Sequence, residues 1–137
     1  MPVDIKNKEA LGELFRALSS AQRLHALELF AEETSLPEVA SKIGMTRTGF
    51  QRTIDAFRNL GLIEEVRKRR YKLSLKGQQI LKLIVQLSVD YTKFEREFER
   101  DRLKQFILSS SLSLNEIKEI LNDLEIEVKD ERNRFIP

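Results

Sequence analysis

Five polar residues between positions 47 and 55 recur at the spacing that places them on one face of an α-helix. They are Arg47, Thr48, Gln51, Arg52 and Asp55. Arginine can form two hydrogen bonds with guanine, and glutamine can form two with adenine. Taken alone, such a face is equally well explained as the solvated side of an ordinary helix. The pattern predicts a base-contacting face only if the neighbouring elements position it correctly.

A second chemical feature is a run of four adjacent cations. The run consists of Arg67, Lys68, Arg69 and Arg70. Adjacent cations repel one another, so folding gives little reason for the run, whereas neutralising phosphates and releasing their counterions gives one. Arginine at such a site can also enter a narrow minor groove. A charged, soluble loop tip is the alternative. Further predicted contacts to a nucleic-acid backbone are Thr46, Arg58 and Lys72.

The positive charge of the chain is concentrated in one window of the sequence. The whole chain has a net charge of only +2. Residues 42–76 include ten basic and three acidic residues, a net charge of +7, whereas residues 80–137 include ten basic and twelve acidic residues, a net charge of −2. Such an asymmetry is expected of a protein that turns one face toward a polyanion.

The spacing of apolar residues indicates two helices on the N-terminal side of the segment that contains the polar face. The first covers residues 8–18, and the second follows a predicted capping box formed by Ser19 and Gln22. The residues of the second helix that are expected to point inward are Leu24, Leu27, Phe30 and Ala31.

A third and a fourth helix are predicted to position the polar face. A capping box of Ser35 and Glu38 begins the third helix, and Gly44 ends it. Thr46 is the predicted N-cap of the fourth helix, which covers residues 46–60. Its predicted buried stripe is Phe50, Ile54, Phe57 and Leu60. The short connection through Gly44, which joins the two helices, is typical of a helix-turn-helix.

After the fourth helix, the sequence period changes to that of β-strands. Apolar and polar residues alternate from Leu62 to Val66 and again from Tyr71 to Leu75, which predicts two short strands with the basic run at their turn. This hairpin, residues 62–75, is called the wing below. It contains no Asn-Gly or Asp-Gly pair, so the sequence leaves the turn geometry open.

A long helix is predicted from Leu75 to about Leu108. Its apolar residues alternate steps of four and three, which is the pattern of a coiled-coil seam. The seam residues are Ile80, Ile84, Leu87, Tyr91, Phe94 and Phe98. A last helix repeats these steps with Ile117, Leu121 and Leu124. Two such helices in so small a chain need a partner surface, which predicts a homodimer. A ligand pocket lined by the aromatic residues is the alternative.

These pieces resemble one family of regulators. The segment LFRALS at residues 14–19 resembles the opening of ArsR-type winged helix-turn-helix proteins. The segments LPEVA at 36–40 and FRNLGLI at 57–63 resemble their helix-turn-helix, and YKLSLKG at 71–77 is similar to the last wing strand of MarR- and PadR-type relatives. The resemblance implies a dimer on a pseudo-palindromic DNA site, with the fourth helix as the recognition helix in the major groove and the hairpin as wing.

Several function classes are excluded or disfavoured by composition. The chain has no cysteine and a single histidine, His25, so the cysteine pairs or histidine clusters of metal-sensing family members are missing and no cofactor is expected. No phosphate loop, nucleophile elbow or HExxH motif is present, so an enzyme is not expected. No apolar run is long enough to span a membrane, and we expect a cytoplasmic, nucleoid-associated protein. Charged residues make up 34% of the chain, as in many thermophiles, which makes an archaeal source one expectation.

The sequence thus predicts a mainly α protein with a small β-hairpin. It consists of a winged helix-turn-helix domain over residues 8–76 and a helical, coiled-coil-like dimerisation region over residues 77–137. The predicted function is transcriptional regulation by a homodimer bound to double-stranded DNA, with no effector identified. Three alternatives remain at this stage: a weakly specific architectural protein of chromatin, a winged-helix module for protein–protein contacts, and an RNA-binding winged helix.

Overall fold

The computed structural model describes residues 2–109 and, beyond them, residues 115, 116, 118, 119, 122 and 123. It divides into two compact units, Met1–Ser88 and Val89–Pro137. The elements in chain order are α1 (Lys8–Ala17), α2 (Ala21–Leu29), β1 (Thr34–Ser35), α3 (Leu36–Ile43), α4 (Arg47–Asn59), β2 (Ile63–Arg67), β3 (Arg70–Leu73) and α5 (Leu75–Ser109). The predicted fold class, mainly helical with a small antiparallel sheet, is confirmed.

The first two helices lie where the apolar spacing predicts them, but the cap of α2 differs. Ser20 caps α2, and its hydroxyl accepts a hydrogen bond from the Arg23 backbone N–H at 3.1 Å. The predicted Ser19–Gln22 capping box is therefore wrong. The Gln22 amide instead donates to the Gly44 carbonyl at 3.3 Å, which joins α2 to the turn after α3. Ala31, predicted to point inward, is exposed because α2 ends at Leu29.

The helix-turn-helix has the predicted N-caps, but the capping box at Ser35 is incomplete because the Glu38 carboxylate accepts from the Thr34 hydroxyl at 2.9 Å. The Ser35 hydroxyl accepts from the Glu38 N–H at 3.4 Å at the start of α3, and the Thr46 hydroxyl accepts from the Gly49 N–H at 3.0 Å at the start of α4. Gly44 ends α3 with a φ of 57°, a left-handed conformation in which a side chain would be strained. The two helices are thus joined by a short, sharply defined turn.

The sheet has three strands, one more than the sequence predicts. Strand β3 lies in the middle and pairs antiparallel with both β2 and β1. Strand β1 has only two residues, with Thr34 opposite Tyr71 and Ser35 opposite Arg70. Two residues are too few to show an alternating pattern, so this strand is invisible in the sequence. The same two residues lead directly into α3, which ties the wing to the helix-turn-helix.

One apolar core holds the helices of the first unit and the wing together. Phe30 and Phe57 pack edge to face, with ring centroids 6.5 Å apart and ring planes at 80°. The other buried members of this core are Ala26, Leu27, Val39, Ile43, Ile54, Leu62, Ile63, Tyr71 and Leu73. Since α2, α3, α4 and the wing all contribute, the orientation of α4 is fixed from several sides.

The junction between the wing and α5 is tightly packed. The Ser74 hydroxyl accepts from the Gly77 N–H at 3.0 Å and donates to the Gly61 carbonyl at 2.5 Å. A Cβ atom on Gly77 would lie 2.0 Å from the Leu62 carbonyl oxygen. Position 77 therefore has no room for a side chain. The predicted last helix, with Ile117, Leu121 and Leu124, lies largely outside the described residues, as do these three side chains.

We expect Gly77→Ala to lower the free energy of unfolding by about 2 kcal/mol, because the new methyl group forces the backbone of Leu62 and α5 apart. Urea unfolding followed by circular dichroism measures this. The matched control is Gly12→Ala in α1, where nothing lies within 4 Å of the new Cβ. That variant should gain about 0.5 to 1 kcal/mol from helix propensity. Equal effects of the two changes would contradict the packing at the junction.

Candidate nucleic-acid interface

The polar face of α4 exists because the opposite side of the helix is buried. Ile54 and Phe57 are completely buried, and Phe50 packs partly against the same core. Thr53 is also buried, where its hydroxyl donates to the Gly49 carbonyl at 2.9 Å. With this side fixed inward, the helical period turns the remaining residues toward solvent.

All five residues predicted to contact bases lie on the exposed side of α4. They are Arg47, Thr48, Gln51, Arg52 and Asp55, called the reading face below. The Gln51 amide donates to the Asp55 carboxylate at 3.0 Å, so one donor of Gln51 is occupied within the face. Neither Arg47 nor Arg52 forms an ion pair with any residue in the described part of the chain. The face therefore presents two guanidinium groups free for a ligand.

Thr46 is also exposed, but its hydroxyl is used in the chain itself as the N-cap of α4. Its predicted contact to phosphate would have to share that hydroxyl with the Gly49 N–H. Local capping is the role that the geometry displays.

The tip of the wing carries its cations on a strained turn. Lys68 and Arg69 connect β2 to β3, and Arg69 has a φ of 66°, a region that non-glycine residues rarely occupy. The Arg69 N–H donates to the Glu65 carboxylate at 3.1 Å, which stabilises the turn. The side chains of Lys68 and Arg69 form no ion pair among residues 2–109. The turn thus supplies two further cations that are available to an anion.

The other cations of the run face acidic groups of the same chain. Arg67 Nε and Arg70 Nε each lie 3.4 Å from a different carboxylate oxygen of Glu33. Farther along β3, Lys72 Nζ lies 3.9 Å from the Glu64 carboxylate. The run of four adjacent cations is thus divided between two that pair inside the fold and two that do not. The sequence signal for this division is weak, because Glu33 is more than thirty positions away from its partners.

Arg58, predicted to contact the DNA backbone, packs on the wing in the structure. Its guanidinium lies 4.8 Å from the centre of the Tyr71 ring and donates a hydrogen bond to the Tyr71 hydroxyl. Tyr71 is buried and stands in the middle strand of the sheet. The contact joins the last turn of α4 to β3, so Arg58 positions the two predicted binding elements relative to each other. Sequence reasoning missed the role of Tyr71, which it counted only as a strand residue.

The predicted seam of α5 begins inside the first unit. Ile80 and Ile84 pack partly against the core of their own chain, whereas Leu87 is 59% exposed. Part of the apolar pattern in this stretch is therefore explained by contacts within the chain.

In the second unit, the three aromatic seam residues are exposed. Tyr91, Phe94 and Phe98 have exposed fractions of 59%, 59% and 62%. Tyr91 donates its hydroxyl hydrogen to Glu95, and this carboxylate raises the pKa of the phenol above its ordinary value. Large apolar side chains exposed together are a feature of binding surfaces rather than of ordinary solvent-facing helices.

The sequence predicts neither a metal site nor a membrane-spanning helix. His25 Nδ1 lies 3.9 Å from Glu28 on the exposed side of α2, and the described residues include no cluster of three or more His, Cys, Asp or Glu that could hold a metal. No helix within the described part of the chain is both long and apolar enough to cross a membrane.

Comparisons with known proteins identify the fold. A scan against protein-family models gives no match, and no curated protein matches the chain. Among solved structures, NolR from Sinorhizobium fredii is 19% identical with a TM-score of 0.52, over 64% of this chain and 95% of NolR. The multiple antibiotic-resistance repressor MarR from Listeria monocytogenes is 19% identical with a TM-score of 0.50, over 92% of this chain and 85% of MarR.

A third similar structure is Mb0332 from Mycobacterium bovis, described as a homodimeric winged helix-turn-helix DNA-binding domain of a possible ArsR-family regulator. It is 24% identical with a TM-score of 0.49, over 66% of this chain and 91% of that domain. The predicted resemblance is confirmed at the level of the fold by NolR and MarR, whose TM-scores are 0.52 and 0.50, whereas an archaeal source has no support. The short turn between α3 and α4 and the three-stranded sheet give the chain a winged helix-turn-helix fold, which agrees with its likeness to NolR and MarR.

We expect Arg58→Ala to destabilise the first unit by about 1 to 2 kcal/mol, because it removes both a cation–π contact and a hydrogen bond to the buried Tyr71. Thermal unfolding of the variant measures the loss. The control is Arg52→Ala on the same helix. The exposed side chain of Arg52 has no ion-pair partner in the described chain, so its removal should change the free energy of unfolding by less than about 0.5 kcal/mol. Similar losses in both variants would show that Arg58 does not position the wing.

Proposed function

We propose that this protein is a sequence-specific regulator of transcription that binds double-stranded DNA as a homodimer. The observation that carries the proposal is that four cations have no ion-pair partner among the described residues and lie on the two elements that winged-helix proteins use for DNA. They are Arg47 and Arg52 on α4, and Lys68 and Arg69 on the wing. Arg67, Arg70 and Lys72 of the same window pair with carboxylates of the chain, so the unpaired cations at the start of α4 and at the wing tip are the better placed to bind a polyanion.

In the proposed complex, α4 enters the major groove, which is wide enough for an α-helix. Residues near the N-terminus of such a helix contact base edges, which favours Arg47, Thr48, Gln51 and Arg52 over Asp55. The two arginines offer bidentate donors to guanine. Gln51 donates one amide hydrogen to Asp55 and keeps its second N–H and its carbonyl oxygen for adenine.

The wing supplies the part of the affinity that does not depend on sequence. Lys68 and Arg69 at its tip would neutralise phosphates or enter the minor groove beside the α4 site. Arg58 serves the complex indirectly, since its contact with Tyr71 fixes the angle between α4 and the wing. The Thr46 hydroxyl accepts from the Gly49 N–H and would donate its own hydrogen to phosphate beside the N-terminus of α4.

A homodimer would place two copies of α4 on one duplex. The exposed aromatic residues Tyr91, Phe94 and Phe98 are the proposed centre of the contact between copies, because burying them removes large apolar side chains from water. If the two helices meet successive major grooves, the half-sites lie roughly 34 Å apart. The proposed setting of this activity is the cytoplasm, and no effector is assigned.

We expect Arg52→Ala to weaken binding to the preferred DNA site by about 1 to 3 kcal/mol and to relax the base preference at one position of each half-site. Preferred sites are first selected from random duplexes, and binding is then measured by fluorescence anisotropy. Lys82→Ala removes the same charge from an exposed position on α5 and should leave the base preference unchanged. Wild-type protein that binds all duplexes equally would instead indicate an architectural protein, and absence of duplex binding at moderate salt would refute the proposal.

Phe94→Glu should convert the dimer into a monomer, because it places a charge in an apolar contact between copies. Light scattering coupled to size exclusion gives the molar mass directly. Lys93→Glu introduces the same carboxylate one position away, off the predicted seam, and should leave the dimer intact. A wild-type monomer, or a Phe94→Glu dimer as stable as the wild type, would rule out this surface.

A further inference from the structure

Glu33 stands between the helix-turn-helix and the wing and binds two of the four cations in the basic run. Its Oε1 lies 3.4 Å from Arg67 Nε, and its Oε2 lies 3.4 Å from Arg70 Nε. The Glu33 side chain is only 29% exposed, whereas that of Arg67 is 75% exposed. Both carboxylate oxygens are thus committed to wing arginines, and the carboxylate is the more sheltered partner.

The arginine on the β3 side is held by additional groups. Arg70 Nη2 donates to the Glu33 carbonyl at 3.3 Å, and Arg70 Nη1 lies 3.8 Å from a carboxylate oxygen of Glu38. The other oxygen of Glu38 accepts a hydrogen bond from the Thr34 hydroxyl at 2.9 Å. Arg70 therefore has three acceptors within the chain, whereas Arg67 has Glu33 alone among the described residues.

We propose that Glu33 is an internal competitor for DNA phosphate that limits the affinity of the wing for duplexes of any sequence. The inference rests on the proposed function. A guanidinium that pairs with a carboxylate must break that ion pair before it can bind phosphate. The cost of breaking the pair lowers the free energy gained from the phosphate contact. Lys68 and Arg69 have no such competitor in the described chain, so they provide the phosphate contacts of the wild-type wing.

Because phosphate contacts carry no base information, Glu33 should act on all duplexes equally. Its removal would raise the affinity for selected and random sequences by the same factor and leave their ratio unchanged. This outcome distinguishes a competitor for phosphate from a residue that shapes the reading face, whose loss would change the ratio.

The test compares Glu33→Gln with Glu32→Gln. Both variants lose one negative charge at neighbouring positions, but Glu32 is exposed and forms no ion pair in the described structure. Glu33→Gln should bind random duplexes about two- to thirtyfold more tightly than Glu32→Gln at low salt. The slope of log Kobs against log salt should steepen by about 0.9 if only Arg67 is released and by about 1.8 if Arg70 is released too.

Two further variants complete the design. Glu33→Asp keeps the net charge but is too short to hold both arginines, so it should also steepen the slope relative to wild type. Arg69→Gly removes a cation without a competitor and suits the left-handed backbone at this position, so it should make the slope shallower by about 0.9 without loss of stability. Identical slopes and affinities for Glu33→Gln and Glu32→Gln would overturn the inference.

Elution from a heparin column separates this inference from the proposed function. Heparin is a polyanion without base sequence, so later elution of Glu33→Gln than of Glu32→Gln supports the competitor role even if wild-type protein fails to bind duplex DNA. Equal elution of the two variants, with duplex binding intact in wild type, would leave the regulator proposal standing and refute the role of Glu33.

Discussion

The burial of one side of α4 is the constraint on which the candidate site depends. Ile54 and Phe57 are removed completely from water, and Phe57 packs edge to face on Phe30 at the C-cap of α2. Each such side chain contributes about 2 kcal/mol through the hydrophobic effect, so rotating the helix would be costly. The same burial that stabilises the domain therefore determines which polar residues face solvent. The reading face is a consequence of packing as much as of its own chemistry.

Several cations of the candidate site on the wing also contact groups of their own chain. Arg67, Arg70 and Lys72 face carboxylates of the same chain, and Arg58 is engaged with Tyr71. Surface ion pairs of this kind add little stability, generally less than about 1 kcal/mol each. Their larger effect is to determine which cations remain unpaired and can bind an anion. A count of basic residues in the window overstates that charge, because the fold has already paired several of them.

The long helix α5 shows a similar division for apolar residues. Its predicted seam follows one heptad pattern in the sequence, yet Ile80 and Ile84 contact the core of their own chain, and the aromatic residues farther along are exposed. The spacing of apolar residues indicates that one side of a helix is buried, but it does not specify whether the chain's own core or a partner covers that side. A heptad pattern therefore overstates a dimer contact wherever the same residues also serve a core.

The sequence by itself determined the helices α1 to α5, the N-caps at Ser35 and Thr46, the turn at Gly44 and the exposure of the five predicted base-contacting residues of α4, because these features depend on neighbours within about one helical turn. Only the tertiary structure decided the third strand, the Arg58–Tyr71 contact and the pairing of Glu33 with Arg67 and Arg70. Each of these joins positions that are distant in the chain and adjacent only after folding. Local sequence patterns do not predict such contacts, because the interaction energy of each contact arises only when packing brings its two partners together.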